Sequence, residues 1–336
     1  MNKLNATLIL LVVVVTIAFG GWTPKAIVPT TPDGKGVKDG GSLVVHDTLL
    51  YAFQGHNTQN FFAYNPLTDT WESRHKIPYA LKPNGKPFKK GVKMGGALVV
   101  CEDVIYAFKG GNTSEFWMYN IAEDTWIQKA SILGEKKVKH GGALVLYNGL
   151  IYAFKGGKTD EFWVYYPEND SWAAKAFLVT SDGRKIKGGG ALVVCDDTIY
   201  AFVGGNTNHF YAYTPNAWIQ KPNVNFGPDS LKKRVKDGAT LNELGGYIYA
   251  FKGGNSQSFG YFNPSVNAWF TLDTIPRAPS GKRVKHGGSL TSYNGVIYAL
   301  KGGNTKEFWA YTPLLQQMGR TDLKFKYNTV LTIKSK

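Results

Sequence analysis

Short apolar and aromatic runs alternate along this chain with clusters of Gly, Asn, Asp and Pro, and one unit of that pattern returns six times. The first run of a unit reads Gly-Gly-Ala-Leu-Val-Val or close to it, apolar on both faces. The second reads Ile-Tyr-Ala-Phe, the third Phe-Trp-x-Tyr, and the fourth begins at a Trp (71, 126, 172, 218 and 269). Runs of this length, rich in aromatic and β-branched residues and bounded by turn formers, predict strands joined by tight hairpins. No segment carries a sustained helical period with caps.

The units start at Val37, Val92, Val138, Ile186, Val235 and Val284, so successive starts lie 55, 46, 48, 49 and 49 residues apart. That is the length of one four-stranded propeller blade. A doubly apolar first strand suits the innermost position of a blade, and its glycine pair lets neighbouring inner strands approach around the axis. The sixth unit lacks a Trp strand, because Thr312-Pro313 leads into an unrelated tail. The missing piece stands at the other end of the repeats, where Trp22-Thr23-Pro24-Lys25-Ala26-Ile27 matches Trp126-Ile127-Gln128-Lys129-Ala130-Ser131. The expected fold is all-β: a six-bladed β-propeller of four-stranded antiparallel blades, closed by the N-terminal strand.

Tyr64-Asn65-Pro66-Leu67-Thr68-Asp69-Thr70-Trp71, following a hydrophobic-Tyr pair and a glycine turn, resembles the second half of a kelch repeat, and Tyr165 to Trp172 nearly does. The resemblance covers residues 22 to 313. It departs from the family at one regular place, where three residues instead of two separate the Tyr from the glycine pair, as in Tyr106-Ala107-Phe108-Lys109-Gly110-Gly111. A bulge or a longer hairpin would account for it. The resemblance implies a propeller used for binding and, in a minority of relatives, for sugar chemistry.

Composition changes the picture at both ends. Lys3 followed by the apolar run Thr7 to Phe19 and by Ala18-Phe19-Gly20 reads as an export signal over residues 1–20. The propeller would then occupy residues 21–313 of a secreted, periplasmic or cell-surface protein, and a monomer is expected. Residues 314–336 form a basic tail, with Arg320, Lys324, Lys326, Lys334 and Lys336 against Asp322. The two cysteines, Cys101 and Cys195, fall at equivalent positions of non-adjacent units and are read as buried hydrophobes, not as a disulfide.

The formal charge of +15 is unevenly placed. Lysines and arginines crowd the connections into each inner strand, and each connection ends on the repeat's own lysine: Lys38, Lys93, Lys139, Lys187, Lys236 and Lys285. Strand order puts these on one side of the disc, with Asp47, Glu102, Asp103, Asp196, Asp197 and Glu243 in turns on the other. Charged loops also keep any propeller soluble. A field of one sign, however, concentrates counter-ions, so the expected partner is an acidic glycan or acidic protein surface. Nucleic acid is disfavoured for an exported protein. A second set, Lys109, Lys155, Lys252 and Lys301, faces Glu115, Glu161, Ser258 and Glu307 across a hairpin. These read as exposed cross-strand pairs that set register, worth about 0–1 kcal/mol.

The residue after the repeat lysine varies: Asp39, Met94, His140, Gly188, Asp237 and His286. Six-fold geometry rings these about the axis, where Asp and His could do acid–base work or simply line a water-filled channel. Spacing along the chain shows no metal motif, phosphate loop or nucleophile elbow, and no cofactor is expected. Copper-radical chemistry, found in some propellers, needs a cysteine beside a ligand tyrosine, which neither Cys101 nor Cys195 offers. A sugar mutarotase or epimerase needs only a polar funnel and is the alternative to a pure binding module.

Overall fold

A computed structural model describes residues 21–30, 34–215, 217–228 and 232–313. The segments read as an export signal, residues 1–20, and as a basic tail, residues 314–336, lie outside the described residues. Twenty-four strands of five residues form six four-stranded antiparallel sheets, and no helix among the described residues is long and apolar enough to cross a membrane. The inner strands Ser42–His46, Ala97–Cys101, Ala143–Tyr147, Ala191–Cys195, Thr240–Leu244 and Ser289–Tyr293 pack side by side in sequence order and close into a ring.

Burial follows sequence from axis to rim. The second strand Val104–Phe108 is buried from Ile105 onward, whereas the outer strand Thr125–Lys129 exposes Thr125, Ile127 and Gln128. Each blade therefore buries its second and third strands most deeply, leaves its inner strand partly open toward the axis, and exposes much of the fourth. The core lies between blades. Trp126 stacks on Phe53 of the preceding blade, with centroids 5.7 Å apart, and meets Phe61 edge-on at 5.0 Å. Its indole N–H donates to His75 O at 2.8 Å, just past the preceding blade's outer strand. Trp71, Trp172, Trp218 and Trp269 make the same bond to Ala26, Ala130, Ala176 and Pro222.

Closure of the ring uses this staple once more. Gly21–Lys25 pairs antiparallel with Phe308–Thr312, register Trp22 to Tyr311, and supplies the outer strand of the sixth blade. Trp22 stacks on Phe251 and donates to Asp273 O at 3.0 Å, as the other five tryptophans do to their neighbours.

Around the axis, close approach decides the sequence. Gly95 adopts φ 87, and a Cβ there would collide with the Lys139 carbonyl of the next blade. Farther out, the loop between the second and third strands bonds to the entry of the next blade, as in the Thr113–Val138 bridge. The extra residue of the repeat is thus part of a longer hairpin and not a bulge. The strand ends at Phe108, Lys109 turns inward, and Gly110-Gly111-Asn112 runs left-handed at φ 64, 61 and 63. Cys101 and Cys195 are both buried, in separate blades, without a disulfide.

The Lys–Glu pairs meet as the hairpin register requires, but the expectation that they are exposed is wrong. Lys109, Lys155 and Lys301 are fully buried, at 2.8 Å, 2.8 Å and 2.6 Å from Glu115, Glu161 and Glu307. Segments leaving the preceding blade cover them, and each ammonium also donates to a carbonyl there: Pro78, Leu133 and Arg277. Trp117, Trp163 and Trp309 donate to the same carboxylates and are buried. The first blade replaces the ion pair by Gln54 and Asn60, hydrogen-bonded at 2.5 Å.

Three outer hairpins carry a further staple. Asp69, Asp124 and Asp170 accept the hydroxyls of Tyr64, Tyr119 and Tyr165 at 2.6 Å, 2.5 Å and 2.8 Å. They also accept the N–H groups of Ala26, His75 and Ala130, which follow the outer strand of the preceding blade. Burial tends to raise these carboxyls, but the hydrogen bonds outweigh it and hold them below the usual carboxylate range. A carboxyl depressed on folding stabilises the fold above its unfolded pKa of about 3.9, and that stabilisation is lost as pH falls through the folded value. Urea midpoints should therefore drop as the pH falls below about 4, and Asp124→Asn should shrink that drop. An undiminished drop in the variant would remove this staple from the acid response.

Candidate functional site

Each blade is entered by Val-Lys-x-Gly. The Val or Ile is buried against the preceding loop, the lysine carbonyl lies against a glycine of the blade before it, and the variable residue comes next, at the axis. Asp39, Met94, His140, Asp237 and His286 line an axial pocket of about 90 Å³ together with the inner glycines. Six-fold geometry therefore brings the predicted ring together.

The ring is not symmetric. His140 Nδ1 lies 2.9 Å from Asp237 Oδ1, and His286 Nδ1 lies 2.9 Å from Asp39 Oδ1 and 3.8 Å from Asp237 Oδ1. Gly188 explains the convergence: a Cβ there would fall on the Asp237 carboxylate, which leans into the sector that the fourth blade leaves empty. The hydrogen bond to Asp39 raises the His286 imidazole above its ordinary range, against burial, with both carboxylates adding to it. Asp39 is held below its usual value, chiefly by that bond. Burial would raise Asp237, but the bond from His140 and the nearby imidazoles hold it low. Two His–Asp pairs thus share one partly exposed pocket, an arrangement able to move protons or to hold a cation.

The repeat lysines stand outside this ring. The stems of Lys93, Lys139, Lys187, Lys236 and Lys285 pass over Gly111, Gly157, Gly205, Gly254 and Gly303 of their own blades, where a Cβ would crowd them. Lys139, Lys187 and Lys236 line a cleft of about 600 Å³ with His140, Asp237, Lys158 and Asn206. Lys38, Lys93 and Lys285 do not line it, so the lysine ring yields one asymmetric cleft over blades three to five. Lys158 was missed in the sequence. Its signal is its place, since Asn112, Asn206, Asn255 and Asn304 hold the equivalent position.

Part of the basic face is engaged internally, by carboxylates or by backbone carbonyls. Lys185 pairs with Asp160, Arg184 lies 3.8 Å from Asp182, and Lys282 donates to backbone carbonyls of Gly303 and Asn304. On the opposite side, Asp103 accepts from His46 at 3.1 Å, and the outer-turn Asp69, Asp124 and Asp170 serve the staples described above. The acids of the outer turns therefore hold blades together.

No protein-family model matches the chain, and no curated protein matches it in sequence. Among solved structures, that of YjhT aligns with a TM-score of 0.58 over 86% of this chain and 96% of the other, at 13% identity. A likeness at that identity shows the fold alone.

Proposed function

We propose that this propeller, a variant on the kelch pattern and exported by its N-terminal apolar run, is a non-catalytic binding module for an acidic glycan. The observation that carries this reading is the cleft in which Lys139, Lys158, Lys187 and Lys236 surround His140, Asp237 and Asn206. At about 600 Å³ it has the size of a site for a few sugar units, and its lining combines cations with hydrogen-bonding groups. An acidic protein surface would use the wider face and need the cleft less. Lysines held apart on short loops provide Coulombic attraction to carboxylate or sulfate groups, which salt screens within about 10 Å at 0.1 M.

A glycan array probed at low and high salt should therefore show acidic glycans retained only at low salt. Lys139→Glu with Lys187→Glu should lower affinity by roughly 100-fold, because each reversal replaces an attraction by a repulsion. Binding that ignores salt and both reversals would overturn the reading. The His140–Asp237 and His286–Asp39 pairs favour a second one, in which the bound sugar is epimerised or mutarotated at the axis. The same glycans recovered chemically altered, and unaltered with His140→Asn, would favour that enzyme over the binding module.

A further inference from the structure

We infer that His140, Asp237 and His286, with Asp39 as a fourth donor, form a binding site on the propeller axis for a divalent first-row transition-metal ion, Zn²⁺ by the character of its donors. The ligand atoms of His140, Asp237 and His286 all lie within 4.8 Å of one another. Along the ring, successive donor separations are 2.9 Å from His140 to Asp237, 3.8 Å from Asp237 to His286, and 2.9 Å from His286 to Asp39. Donors placed about 2.0 Å from a tetrahedral Zn²⁺ stand about 3.3 Å apart, in the middle of that range. His140, Asp237 and His286 therefore already stand close enough for three corners, and Asp39, bonded to His286, would swing in from beside them as the fourth. Two imidazoles and two carboxylates form a borderline donor set that suits Zn²⁺ better than Mg²⁺ or Ca²⁺, which take oxygen ligands.

Three further features fit a metal site. The four donors come from blades one, three, five and six, so the rigid inner ring sets their spacing with no flexible loop between them. Gly188 removes the one side chain that would push Asp237 away from the histidines. Neutral imidazoles would leave the cluster with the charge of its two carboxylates. The stems of Lys93, Lys139, Lys187, Lys236 and Lys285 pass over their own loops, and Lys38 is the repeat lysine that acts on Asp39 and His286. The histidines are 40% and 37% exposed, so an ion can reach them from the cleft.

The inference does not rest on the glycan reading, and each can fail alone. The full chain, stripped with a chelator, would be titrated with Zn²⁺ or Co²⁺ in the absence of any polyanion, and glycan binding would be measured with chelator present. One equivalent of Zn²⁺ should shift the imidazole NMR signals of His140 and His286 and leave the other four of the six histidines unmoved. Co²⁺ should give the visible absorption of a tetrahedral site. His140→Asn with His286→Asn should weaken binding by about 100-fold or more, since two of four donors are lost. Gly188→Ala keeps every donor but displaces Asp237, so a roughly tenfold loss with an unchanged melting temperature is expected. No binding to the wild-type chain would overturn the inference. So would shifts confined to His46 or His209, which sit beside Asp103 and Asp182, or undiminished affinity in the double variant.

Discussion

Replacing Trp22 with alanine is expected to destabilise this protein by about 3–5 kcal/mol, the cost of deleting a large aromatic from a packed site. Trp22 packs against Phe251, Phe259 and Tyr311 at centroid distances of 5.7, 4.9 and 5.1 Å and holds the Asp273 carbonyl. Every other blade owns its outer strand covalently, through the hairpin from its third strand. The sixth blade holds its outer strand by the hydrogen bonds of Gly21–Lys25 to Phe308–Thr312 and by this side chain, with Ala26 and Val28 just beyond it tied to Trp71, Asp69 and Lys306. Losing Trp22 should therefore release the strand and expose Phe308–Thr312 as an open edge. Hydrogen exchange would show it as lost protection at Ala310 and Thr312, with the third blade unchanged. Trp126→Ala removes the same contacts from a covalently continuous blade and should lower stability without that local opening. Equal protection of Phe308–Thr312 in both variants would mean that Trp22 is only one more packing residue.

The second large effect is expected from the buried ion pairs. Glu307→Ala leaves the Lys301 ammonium in a site of 0% exposure, with the Arg277 carbonyl as its remaining partner. Removing one member of a buried pair costs about 3–5 kcal/mol, because the charge left behind is poorly solvated. Glu307 also accepts the Trp309 indole and the Ser280 N–H, so those donors are orphaned together with the ammonium. Burial already pushes Lys301 below the usual lysine range despite Glu307. The double variant Lys301→Gln with Glu307→Asn copies the neutral Gln54–Asn60 pair of the first blade and should recover most of the loss. Urea denaturation of the two single variants and the double one gives the coupling directly. If Glu307→Ala costs less than about 1 kcal/mol, the pair behaves as a surface bridge after all.

The misreading of that pair shows where local reasoning stops. Lys109 and Glu115 are six residues apart on one hairpin, so their meeting follows from strand register alone. Their burial does not, because Pro78 and Tyr79, which leave the preceding blade, lie over them. A charged residue in a polar turn reads as solvated until the chain that covers it is placed. The same limit applies to Asp160, which neutralises Lys185 of another connection, and to the contact of Asp182 with His209 on the hairpin of the next blade.

By itself the sequence determined the number of blades, the strand order and the closure by Trp22. Each follows from a unit repeated six times, in which apolar runs and turn residues specify one hairpin after another. It also determined which residues reach the axis, because a closed ring of equal blades sends equivalent positions to equivalent places. Tertiary structure alone decided that His140, Asp237 and His286 form one cluster, with Asp39 bonded to His286 beside it, and that three of the six repeat lysines share one cleft. His140 and Asp237 are 97 residues apart in the chain, so no local pattern couples them. Their contact depends on how far each side chain leans across the axis, and Gly188 leaves the space into which Asp237 leans.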